Sequence, residues 1–215
     1  MLLDLVTSNV WGALGLWAIV YIADYALTLR GARLYSDPRQ TFVRFDGSYE
    51  LNPVFERDVD ARRRLSRRFV ILLGVTCALI WLLWRIAQSR ILAPAIFPFW
   101  MGVLLLIELP VLLRHLRNIA TFRWLLRAPD VRGQIVYPRW FSLRLSAGEL
   151  AAFTALYLLL SPGPHTAFFL GGAGACAMTA FQHWGRSERL RMQASTAAPN
   201  AAPAAPAERG TASPE

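Results

Sequence analysis

Lysine is absent. All 23 basic residues of the 215-residue chain are arginine, set against 14 acids for a formal net charge of +9. Such a surplus suits nucleic acid only where topology does not explain it, and here the arginines fall between apolar blocks, where topology does. No nucleic-acid partner is expected. Cysteine is nearly absent too: Cys77 and Cys176 both lie inside apolar blocks, which argues against a disulfide framework or a zinc ribbon. There is no His-Glu-x-x-His, no cysteine pair and no glycine-rich phosphate loop, so no metal and no cofactor is expected. The N-terminus lacks the positive region and cleavage pattern of a secretory leader, and its first apolar block reads as a retained span. No internal repeat is visible.

What is abundant is apolar: 55% of the residues, against the ~45–50% usual for soluble domains. A bilayer core of ~30 Å needs about 20 apolar helical residues per crossing. Five segments approach this, at residues 10–29, 69–87, 91–113, 145–160 and 165–184, so the expected fold class is an all-α membrane protein with about five transmembrane helices. Ser161-Pro162-Gly163-Pro164 forces a turn between the last two. Because the fourth segment is short, a re-entrant hairpin of segments four and five is the rival topology.

Arginine placement sets orientation. Arg30 to Arg68 fill the first long loop, Arg114 to Arg144 the second, and Arg186, Arg189 and Arg191 follow the fifth span. The turns between spans two and three, and four and five, hold only Arg85 with Arg90, and none. The alternation predicts an N-terminus outside and a C-terminus inside, and the expected location is a bacterial cytoplasmic (inner) membrane. The bilayer is the first partner, with a homo-oligomer or another membrane protein as a further one.

In the first loop, Asp46-Gly47 between Phe42-Val43-Arg44-Phe45 and Ser48-Tyr49-Glu50-Leu51 predicts a hairpin. Asn52-Pro53 predicts a helix start leading through the Arg62–Arg68 cluster toward span two. In the second loop, residues 133–137 and 141–145 flank Pro138 as a second strand pair. The membrane domain is expected to cover residues 1–191. Residues 192–215, rich in Ala and Pro without apolar periodicity, are expected to form a disordered tail.

Candidate chemistry lies at the inner ends of the spans. Asp24 and Glu108 each precede a flanking arginine, Arg30 and Arg114, by six positions, which puts them level, ~9 Å from the inner helix ends. A carboxyl in hydrocarbon is costly unless paired or wet, so such acids are functional candidates. The alternative is neutralisation by protonation or by arginine, serving only helix packing. Thr28 shares the Asp24 face one turn on. His115, Glu149, Gln182 and His183 gather at the same end. His115 and His183 also suit an interface, and Glu149 a helix N-terminus, where negative charge is stabilised. Pro110 removes the amide that would bond the Leu106 carbonyl, beside Glu108. Gly171 and Ala175 offer a small-residue face for close helix approach.

Asp24-Tyr25-Ala26-Leu27-Thr28, followed by Glu50-Leu51-Asn52-Pro53, resembles a group of bacterial membrane proteins in which a D-x-x-x-T helix precedes an E-x-N-P run. The resemblance covers about the first 90 residues and carries no activity with it. It implies that Asp24, Thr28, Glu50, Asn52 and Pro53 act as one unit. The residues themselves leave three functions open: a non-catalytic scaffold or partner-binding protein, a small transporter or channel component using the acidic pair, and an intramembrane metal-dependent enzyme. An enzyme requires Asp24 and Glu108 together with access to water.

Overall fold

Asn9 divides the N-terminal apolar block in two. Its side chain accepts hydrogen bonds from the amides of Trp11 (2.9 Å) and Gly12 (3.3 Å), ending α1 (Leu2–Ser8) and starting α2 (Val10–Tyr35). The computed structural model describes residues 2–46, 48–51, 54–89, 93–128 and 130–197. Within them the chain continues as β1 (Val43–Phe45), α3 (Glu56–Asp60), α4 (Arg67–Gln88), α5 (Ile96–Leu125), β2 (Ile135–Tyr137), α6 (Arg139–Leu160) and α7 (Thr166–Ala197).

The protein is mostly helical, and α2, α4, α5 and α6 are long and apolar enough to cross a membrane. Helix α6 starts six residues earlier than the sequence suggests; its 22 residues span ~33 Å, enough for a bilayer core. Helix α7, with 32 residues, is the longest and is not apolar enough to join those four. It continues through Ala197, so the tail expected from residue 192 starts as helix; residues 198–215 lie outside the described residues.

Helices α2, α5 and α7 run in one direction and α4 and α6 in the other. At one end, His165 before α7 approaches Asp4 of α1 at 3.6 Å. At the other, Arg144 of α6 meets Glu188 of α7 at 2.7 Å. Near the first end, Val6, Ala13, Trp17, Ile80, Phe97, Met101, Leu105 and Phe168 form a continuous apolar core. The contact between α5 and α7 is backbone on backbone: a Cβ built at Gly102 would overlap the Phe168 carbonyl, and one at Gly171 the Phe99 carbonyl. Gly171 thus serves the close approach that its small neighbours suggest.

Neither expected hairpin forms. Residues 48–51 are not a strand, Gly47 lies outside the described residues, and β1 instead pairs in parallel with β2. Val43 lies opposite Ile135 and Phe45 opposite Tyr137, with Ile135 N donating to Phe42 O (2.7 Å) and Asp46 N to Tyr137 O (2.9 Å). The cause is long-range. Parallel α2 and α5 deliver both loops to the same end of the bundle, and an aromatic cluster holds them there. Tyr35 packs on Phe45 (5.2 Å between ring centroids) and Tyr49 (5.7 Å), Phe45 on Tyr137 (5.8 Å), and Tyr137 stacks on Phe141 (5.7 Å). Several such ring pairs, each ~0.5–1.5 kcal/mol beyond area burial, outweigh one Asp-Gly turn preference. Phe141 to Leu145, expected as a strand, therefore lie in α6.

The helix expected from Asn52-Pro53 through the arginine cluster is also interrupted. Asn52 and Pro53 lie outside the described residues, and α3 is only five residues long, separated from α4 by residues 61–66. Buried Ser66 makes the break: it caps α4, accepting from Phe69 N at 3.4 Å, and donates to Asp58 of α3 at 2.5 Å.

Pro110 sits inside α5, and its missing amide leaves the Leu106 carbonyl without a helical donor. Tyr157 of α6 supplies one, its buried hydroxyl donating to Leu106 O at 2.8 Å. Tyr157→Phe strands that carbonyl and should cost ~1–3 kcal/mol. In a Pro110→Ala background the amide returns, and Tyr157→Phe should then cost clearly less. Thermal unfolding of the four proteins in detergent measures the coupling; equal costs in both backgrounds would mean that Tyr157 acts by packing alone.

Candidate functional site: a polar cavity at the loop end of the bundle

Between the apolar core and the β1–β2 pair lies a cavity of about 1020 Å³. Asp24, Thr28, Glu50, Glu108, His115 and Glu149 all line it, as do Gln182 and His183. Residues from opposite ends of the sequence reach it because α2, α5 and α7 run in parallel, bringing the loop ends of three helices together. Of the five residues that the resemblance groups, Asp24, Thr28 and Glu50 share this cavity; Asn52 and Pro53 lie outside the described residues.

The acid side is built by α2 and α5. His115 Nε2 lies 2.9 Å from Thr28 Oγ1 and 3.3 Å from Asp24 Oδ1, so the ring bridges two helices, with His115 and Thr28 buried. Asp24, which the sequence pairs by depth with Glu108, thus has His115 as its contact partner, while Glu108 faces the same cavity. A bare lone pair on Nε2 would repel the carboxylate, so in neutral His115 the proton belongs on Nε2 and Nδ1 is an acceptor. Tyr49 closes this side: its hydroxyl sits against the Cα of Gly31, where a Cβ would displace it. Burial pushes the Tyr49 phenol up to about 12, keeping it neutral through the physiological range.

The basic side is built by α5, α6 and α7. Glu149 accepts from Arg114 Nε at 2.7 Å and also pairs with Arg117. It lies ten residues into α6, not at a helix N-terminus, because α6 starts at Arg139; its role is to hold two arginines. Arg139 forks onto Glu56 of α3, Nη1 to Oε1 at 3.2 Å and Nη2 to Oε2 at 3.1 Å, and this guanidinium holds the Glu56 carboxyl below the usual range. His183 of α7 contacts Ser146 of α6 through Nδ1 at 2.9 Å. Arg186 and Arg189, one and two turns from Gln182, complete the wall.

Six buried side-chain atoms on this lining make no hydrogen bond among the described residues: Asp24 Oδ1, Tyr49 Oη, Arg114 Nη2, His115 Nδ1, Arg139 Nε and Ser142 Oγ. Each such group costs ~1–3 kcal/mol if left without a polar partner. Together they rival the ~5–15 kcal/mol net stability of a domain, so the cavity requires polar contents. No family model, curated protein or solved structure matches this chain. Chemistry must therefore be read from the lining itself. Among the described residues no three of His, Cys, Asp and Glu converge to hold a metal ion.

The sequence shows the acids and histidines of this lining but not Tyr49, Arg139, Ser142 or Arg186. Those four reach the cavity through the β1–β2 pairing, the early start of α6 and the continuation of α7 past Gln182.

Proposed function

We propose that this chain is a small-molecule-binding membrane protein, a transporter component or receptor, that takes a polar ligand into the cavity from the cytoplasm. It crosses the bacterial inner membrane five times, N-terminus outside, with α7 as the fifth crossing. The observation that carries this reading is the set of six buried polar atoms, without a hydrogen bond among the described residues, that line this one cavity. A pure scaffold needs no such set, since arginine pairing alone would neutralise its acids. The apolar core at the α1 end favours access from the loop end only. The arginine alternation supports the orientation, and the 22 residues of α6 and 32 of α7, each long enough for a ~30 Å core, favour two crossings over a re-entrant hairpin. The exposed apolar face of α4, including Ile71, Val75 and Leu79, suits lipid or a second copy of the chain.

One observation favours a second reading, proton-transfer chemistry on the bound molecule: Asp24 orients His115 so that Nδ1 is left as an acceptor. Such an enzyme would bind its substrate in the same cavity.

Single cysteines in a Cys77→Ala, Cys176→Ala background test the first reading. An impermeant maleimide should label Ser161→Cys from outside cells, and Thr121→Cys and Ser142→Cys only in inverted vesicles. Labelling of Ser161→Cys from the cytoplasmic side would remove the fifth crossing. Failure of Ser142→Cys to react from either side would remove the accessible cavity.

A further inference from the structure

The unpartnered atoms are sorted by sign. Asp24 Oδ1 is an acceptor, as is His115 Nδ1 in the Nε2–H tautomer; on the arginine side Arg114 Nη2 and Arg139 Nε are donors, and the hydroxyls of Tyr49 and Ser142 can serve either way. Building on the reading above, we propose that the ligand is a phosphate ester bearing an ammonium or hydroxyl group on a short linker. Its phosphate sits on the arginine side and its N–H or O–H donors sit on Asp24 and His115.

The arrangement of charge, not its sum, points to phosphate. Arg114, Arg117, Arg139, Arg186 and Arg189 line the cavity against Asp24, Asp46, Glu50, Glu108 and Glu149, a balanced set in which Arg114 and Arg117 pair with Glu149 and Arg139 with Glu56. Arg186 makes no ion pair among the described residues, yet it acts electrostatically on both Glu56 and His183, as Arg114 does on His183. Three guanidiniums therefore converge on one wall, and their planar forks match phosphate oxygens. A carboxylate on the opposite wall would repel a bare phosphate and attract an ammonium or hydroxyl, so the two walls together select a molecule with both groups. The same chemistry is present in a phospholipid headgroup and in a free phosphoester. Tyr21, Phe69, Leu72 and Leu145 line the cavity beside the polar groups, where an acyl chain would leave a headgroup.

The test uses the full chain. In detergent, binding of phosphoethanolamine and glycerol 3-phosphate is measured by calorimetry and by unfolding midpoint, with inorganic phosphate, ethanolamine and glycerol as half-ligands. In parallel, the protein is placed in nanodiscs of phosphatidylcholine, whose ammonium has no N–H, with and without phosphatidylethanolamine, and protection of Ser142→Cys from maleimide is read. Saturable binding of a whole ester in either arm, at least tenfold tighter than inorganic phosphate, is expected. Arg186→Gln should weaken it tenfold or more, and Asp24→Asn should reduce the preference for the ester over phosphate. Arg186 carries no ion pair, so that variant should fold, and Arg189→Gln provides a second. Protection by phosphatidylethanolamine without soluble binding would identify a lipid source; the reverse would identify a free metabolite. No binding in either arm, or binding indifferent to Arg186 and Arg189, would overturn the phosphate assignment. Ester and phosphate binding equally would overturn the donor side. If Ser142→Cys labels normally while binding is absent, the accessible cavity survives and only the ligand class falls.

Discussion

Gly102→Ala and Gly171→Ala should each destabilise the protein more than any other glycine-to-alanine change in its helices. The Cβ at either position would overlap a carbonyl of the facing helix, and a backbone carbonyl within a helix cannot swing aside as a side chain can. Overpacked sites cost ~1–3 kcal/mol, and these two should lie at or above the top of that range, against the ~1 kcal/mol that alanine returns in helix propensity. The same molecule supplies its controls. At Gly172 the new Cβ meets Leu106, whose Cδ1 can rotate away while its Cβ cannot, so the cost should be intermediate. At Gly174 nothing lies within 4 Å, and alanine should be neutral or slightly stabilising. Unfolding midpoints in detergent should therefore rank Gly102→Ala and Gly171→Ala lowest, then Gly172→Ala, then Gly174→Ala at or above wild type. A Gly102→Ala midpoint equal to that of Gly174→Ala would show that α5 and α7 are not in backbone contact. Because α7 carries Gln182, His183 and Arg186, displacing it should also alter maleimide access to Ser142→Cys.

Local chemistry explains what the sequence reveals of this fold. Apolar length and the proline-rich turn locate the five long helices, because those signals are read within one segment. Helix ends are less faithful. Span four looks short since Arg139, Arg144 and Glu149 interrupt its apolar run, yet these charges are paired across helices with Glu56, Glu188, Arg114 and Arg117, which lets the helix start at Arg139. The strand pairing fails for a related reason. Asp46-Gly47 is a real turn signal, but the ring contacts of Tyr35, Phe45, Tyr49 and Tyr137 include one between Phe45 and Tyr137, in two different loops, and no local pattern announces it.

The site divides in the same way. Asp24 and Glu108 share one cavity because both helices run in the same direction, although the helices continue past the flanking arginines, α2 to Tyr35 and α5 to Leu125. Depth along an axis does not fix rotation about it, and the direct contact of Asp24 goes to His115, one residue past Arg114. Pro110 shows both outcomes at once. The missing amide is visible in the sequence, whereas its replacement by the Tyr157 hydroxyl depends on how α6 packs against α5.

Asp24 and His115 should be energetically coupled, and the coupling should disappear when either is neutral and short. Nε2 of His115 hydrogen-bonds Thr28 at 2.9 Å and lies 3.3 Å from Asp24 Oδ1, an electrostatic contact without hydrogen-bond geometry, so both groups on α2 hold the ring. Asp24→Asn weakens the electrostatic half of that contact, and His115→Gln removes the ring that bridges α2 to α5. Hydrogen bonds involving a charged group are worth ~1.5–3 kcal/mol, and the Asp24 side chain is 24% exposed, which places each single cost near the lower end. The double variant should cost less than the sum of the singles by about 0.5 kcal/mol or more, since the second change finds the interaction already lost. Thr28→Val should behave similarly against His115. Glu108, which shares the cavity, should couple to Asp24 with the opposite sign if both are ionised, because removing one of two like charges relieves repulsion only while the other remains. Unfolding midpoints of the two cycles, measured in one detergent at one pH, separate these cases. Additive costs for Asp24 and His115 would mean that the 3.3 Å approach carries no energy, and with it the orienting role of Asp24 in the site.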